Sequence, residues 1–132
     1  SAGQVWMHSV AKFFASQHLT SLLVNADEYS CKIDIVTDID TKQIVSLPKN
    51  KWINTNIKLT YEKVEIRIPQ LSQTTFILPY IGSTEYMGNN VQIYEEGAVR
   101  LEIFDISNSW SAGARIFMHT RIMNLSFCNK LK

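Results

Sequence analysis

The chain has 132 residues, 45% of them hydrophobic and 19% charged, with 13 basic and 12 acidic side chains for a formal net charge of +1. That is enough chain for one domain with its own core, and the composition excludes an intrinsically disordered segment. The charge balance supplies no long-range pull toward nucleic acid or an anionic membrane, and no apolar stretch approaches the ~20 residues of a transmembrane helix.

Fifteen isoleucines against five glycines and three prolines point to a sheet-rich fold. β-Branched side chains are stiff at χ1 and pack well on a pleated surface. The first element is different. Residues 4–17 place Trp6, Val10, Phe13 and Phe14 at three- and four-residue steps, the spacing of an amphipathic helix. His8, Lys12, Gln17 and His18 interrupt its apolar pattern, unlike the core of a signal peptide. Asn25–Glu28 then reads as a turn.

Strands are expected at about 29–37, 43–47, 56–61, 64–68, 74–81, 91–95, 98–106 and 114–127. The clearest is 98–106, where Val99, Leu101 and Ile103 alternate with Arg100, Glu102 and Phe104. A period of two sends the two sets to opposite faces of a sheet with one dry side. Connections are short and polar, and the link at Glu62–Lys63 predicts a tight hairpin. The longest expected loop is Gly82–Asn90. In the last strand the apolar positions switch parity, from Ile116 and Met118 to Met123, Leu125 and Phe127. A bulge or bend near Thr120 accounts for this and would let one strand serve two sheets. The expected fold is a single domain over 1–132, mainly β. It is an antiparallel β-sandwich or strongly curved sheet with one N-terminal amphipathic helix. The α+β alternative is one curved sheet wrapping that helix.

Few residues carry chemistry. Cys31 and Cys128 have no zinc or redox spacing and lie in strand-like contexts. They read as free buried thiols of an intracellular protein, with a disulfide between them as the alternative. The sequon Asn124-Leu-Ser126 matters only in a secreted chain. Asp34, Asp38 and Asp40 could supply oxygen to a hard cation. They lack the glycine and terminal glutamate of a calcium loop, however, and read as a solvated acidic hairpin. His8 and His18 are ten residues apart, about 15 Å along a helix. No nucleophile elbow accompanies His119. No metal, no cofactor and no enzymatic activity are expected.

Aromatic loops are the better candidates. In Pro48-Lys-Asn-Lys-Trp52, Lys49 and Lys51 could meet an anionic surface or nucleic acid, with Trp52 stacking. Trp52 could equally fold back on the core. Trp110 in Ser107–Gly113, and Tyr86 with Met87 in the Gly82–Asn90 loop, are candidate partner contacts. The expected function is a non-enzymatic structural or interaction domain that forms a homo-oligomer or docks on a protein partner. Small β-rich viral proteins of the capsid, matrix or movement type share this profile, an analogy of composition and fold class alone. The alternative is a ligand-binding β module for sugar, lipid or single-stranded nucleic acid, using Trp52, Trp110, Tyr61 or Tyr80. A third reading is a small enzyme using His119 and an aspartate such as Asp38.

Overall fold

A computed structural model of the protein describes residues 27–104 and 113–131. Alternation of side chains along β1 (Asp27–Asp38) sets the pattern, with Tyr29, Cys31 and Ile33 buried between less buried neighbours. Eight more strands follow among the described residues: β2 (Ile44–Ser46), β3 (Ile53–Leu59), β4 (Lys63–Arg67), β5 (Thr75–Tyr86), β6 (Asn89–Glu96), β7 (Val99–Phe104), β8 (Ala114–Met118) and β9 (Arg121–Lys130). Each pairs antiparallel with its neighbour in the order β2-β1-β3-β4-β5-β6-β7-β8-β9.

The sheet closes on itself. β1 takes β3 and then β2 along one edge, and β9 along the other, from Tyr29↔Lys130 to Asp38↔Arg121. An eight-stranded antiparallel barrel results, with β2 as a short extension. The expectation of a sandwich or an open curved sheet is therefore corrected. Residue alternation is the same in a sandwich and a barrel, and only pairing of the first strand with the last distinguishes them. The N-terminal helix expected over 4–17 lies outside the described residues.

Two other expectations change. The last strand does not bend at Thr120 but breaks there into two, joined by a turn at His119 and Thr120. Residues 82–90 are largely hairpin, because β5 and β6 continue to a two-residue turn at Met87-Gly88. Both turn residues have positive φ, 50° and 81°, as the twist of a primed hairpin turn demands.

Register runs continuous rows around the wall. Tyr80, Tyr94, Leu101, Ile116, Met123 and Val36 lie side by side across six strands and face inward. A second inward row runs Ile103, Ala114, Leu125, Ile33, Ile53. An eight-stranded barrel is just wide enough for side chains to fill, and these rows form one contiguous core. The intervening row, Ile93, Glu102, Arg115, Asn124 and Ile35, faces out.

The seam between β1 and β9 is reinforced. Register shifts fall between Ser30 and Lys32 and between Ile33 and Ile35, where bulges sharpen the curvature. At the first, Cys31 is disulfide-bonded to Cys128, 97 residues away in sequence. The expectation of two free thiols is corrected: closure of the barrel brings together residues that no local pattern relates. Outside the same bulge Phe127 turns out at φ 52° and stacks on Trp52, ring centroids 4.7 Å apart.

Candidate functional site

The loop between β2 and β3 is held at its base. The indole Nε1–H of Trp52 donates to the Leu47 carbonyl at 2.9 Å, and the ring covers Phe127. Trp52 thus anchors its own loop. Lys49 and Lys51 lie exposed on the 3₁₀ turn Lys49–Lys51 between these contacts. Neither forms an ion pair among the described residues. Tyr61 is at the opposite end of β3 from Trp52, and Tyr80 faces the barrel interior, donating to Gln92 Oε1 at 2.6 Å. These three aromatics do not form one ligand surface. Trp110 lies outside the described residues.

The acidic group disperses. Asp34 accepts a hydrogen bond from Ser126 Oγ at 2.9 Å on the neighbouring strand. Asp38 Oδ1 accepts from the backbone N–H of Asp40 and of Thr41, both at 3.0 Å. These backbone donors, Thr41 first, hold the Asp38 carboxyl below its usual value. Among the described residues no three His, Cys, Asp or Glu side chains converge to hold a metal. His119 and Asp38 do belong to neighbouring turns, joined by the Ile39 N–H to Thr120 carbonyl bond of 2.7 Å. The Asp38 Oδ1 oxygen is engaged locally, serving its own backbone.

The tip of the β5–β6 hairpin makes the most distinctive surface. Met87 is 84% exposed, and Tyr86 beside it is half exposed. Tyr86 meets Phe104 of β7 edge to face at 6.1 Å. The Arg115 guanidinium lies 5.0 Å from the Phe104 and Phe117 rings and 5.8 Å from the Tyr86 ring. Its charge is oriented from below by Glu102, whose carboxylate accepts from Arg115 Nε at 2.8 Å and from Arg100 Nε at 2.9 Å. A cation held over ring faces and paired with a mostly buried carboxylate is a stiff platform. A cavity of about 210 Å³ opens among Tyr86, Met87, Asn89, Phe104, Arg115 and Asn124.

Tyr86 and Met87 were legible in the sequence as exposed aromatic and apolar loop residues. Phe104 and Arg115 were not. Alternation set them on an outward face, but their meeting depends on cross-strand register. A second groove, about 400 Å³, crosses β1, β3 and β4 past Glu28, Lys58, Glu65 and Arg67. Its charges alternate in sign and present no single ligand chemistry. The chain matches no protein-family model, no curated protein and no solved structure.

Proposed function

We propose that this chain is a non-enzymatic interaction module that pairs with a second copy of itself through the β5–β6 hairpin tip. The observation that carries the reading is Met87. The first position of a primed turn favours Asn, Asp or Gly, for which positive φ is least strained. A methionine there, at φ 50° and 84% exposed, is unfavourable for both backbone and solvation. Such outliers persist where a function requires them. The side chain is flexible and polarizable, suited to filling an imperfect pocket.

A protruding Met87 beside a concavity floored by Phe104 and Arg115 has the two halves of an isologous contact. In a two-fold dimer each methionine would enter the other copy's cavity. Tyr, Met and Arg are also the residue types enriched in interface cores. Light scattering from low to high micromolar concentration tests this. Wild type is expected to dimerise with concentration, and Met87→Asn, which keeps the turn, to remain monomeric. A strictly monomeric wild type overturns self-pairing and turns the search to a different protein partner. The seam disulfide supports an oxidising working environment, in place of the intracellular setting expected from the sequence.

A further inference from the structure

Strand directions place the ends of β1, β4, β6 and β8 at one mouth of the barrel. The turns there are knitted by backbone bonds, Ile39 N–H to Thr120 O at 2.7 Å and His119 N–H to Ala98 O at 3.2 Å. A cavity of about 350 Å³ lies in this mouth, lined by Leu71, Met118, His119, Thr120, Arg121 and Met123. That volume falls in the range of small-molecule sites, which barrel mouths often provide.

Register orders the lining by depth. Met123 belongs to the inward row with Ile116 and Val36 and is buried. One layer further out, on the same face, Met118, Arg121 and Asp38 are in register. Leu71 faces this layer from the β4–β5 connection, held in a turn by its N–H donating to Ile68 O at 2.9 Å, and is 53% exposed. The floor is therefore thioether and the rim carries a guanidinium. The Arg121 side chain makes no hydrogen bond or ion pair among the described residues, although its charge reaches the Asp38 carboxylate and helps to lower its pKa. Its in-register neighbour Asp38 directs Oδ1 to the amides of Asp40 and Thr41 and faces the Arg121 charge without a hydrogen bond to it, so a ligand carboxylate would share the guanidinium's field with Asp38.

We propose that this mouth binds a small amphipathic carboxylate of the medium-chain fatty acid class, the carboxylate on Arg121 and the chain over Met118, Met123 and Leu71. Guanidinium donors match a carboxylate in pairs, and methionines adapt to a flexible chain. The site lies on different residues from the Met87 surface, so neither proposal depends on the other.

Octanoate, 1-octanol and octylamine share a chain and differ in headgroup, and they are titrated into the protein while the methyl NMR signals of Met118 and Met123 are followed. Saturable shifts are expected for octanoate, with octanol at least tenfold weaker and octylamine weaker still. Arg121→Gln should weaken octanoate about tenfold and leave octanol unchanged. Leu71→Glu, a surface change that spares the fold, should repel octanoate while Met87→Asn binds it as wild type does. Absence of saturable octanoate shifts, octylamine binding as tightly as octanoate, or an unaltered Arg121→Gln variant each overturns the proposal.

Discussion

Tyr94 brings a hydroxyl into the barrel interior that has no hydrogen-bond partner among the described residues. Burial, and then the neighbouring Tyr80, push its ionisation upward, so it stays neutral. The ring packs edge to face on Tyr80 at 5.3 Å. An orphaned buried hydroxyl is unfavourable by about 1–3 kcal/mol. Tyr94→Phe is therefore expected to raise stability by about 1 kcal/mol in urea unfolding, and a clear loss would mean the hydroxyl has a partner. Asp38 is the opposite case, a carboxylate whose Oδ1 accepts two backbone N–H groups of its own turn. Its folded pKa lies below the ordinary 3.8, so its contribution is present above that value and is lost as pH falls through the lower folded pKa. The stability gap between wild type and Asp38→Ala should close over that acid window, and a carboxyl NMR titration should give Asp38 a midpoint under 3.8. The sequence already indicated that the acidic run was a solvated turn, because aspartate so often bonds nearby amides. It also allowed Trp52 to fold back. What it could not show was that Trp52 meets Phe127, since that contact depends on a bulge in a strand 75 residues on (127 − 52).

Strands with strict alternation were legible, and so was the glycine-free turn after Asp38, but the reversals at Met87-Gly88 and His119-Thr120 were not. β7 was evident from Val99, Leu101 and Ile103 against charged neighbours. The parity switch after Met118 has two physical solutions, a one-residue bulge or a reversal through two residues. His119-Thr120 lacks Asn-Gly chemistry, yet His119 takes φ 55° and the chain reverses. At Met87-Gly88 the glycine was visible, but the methionine before it hid a primed turn. Relieving that position makes a prediction for the hairpin alone. Met87→Asn should stabilise the protein by about 0.5–1 kcal/mol, because Asn tolerates the left-handed region better than Met. Thermal unfolding at low concentration, where no dimer forms, measures it. A destabilised variant would mean Met87 packs favourably within its own chain.

Closure is a property of the whole molecule. Once β1 pairs with β9, each ring strand among the described residues has a partner strand on both sides over part of its length, which limits the bare edge that could template aggregation. The disulfide cross-links the two strands at the seam. Further ties follow its line, including Leu131 N–H to Glu28 O at 2.7 Å and Lys130 to Asp27 at 3.6 Å. Cross-linking residues 97 apart restricts the unfolded chain, by about 4–5 kcal/mol in the chain-entropy account. Cys31→Ser with Cys128→Ser should lose stability of that order in urea unfolding, and a loss below about 1 kcal/mol would show that the strand ladder alone holds the seam. The sequence by itself determined the strand content, the polarity of each face and the absence of any recognisable catalytic motif, because these follow from a two-residue period and from residue type. Only the tertiary structure decided that the sheet closes, that Cys31 meets Cys128, and that Arg115 and Arg121 sit beside cavities. Those outcomes depend on register between strands distant in sequence, and alternation within one strand carries no information about which partner it will meet.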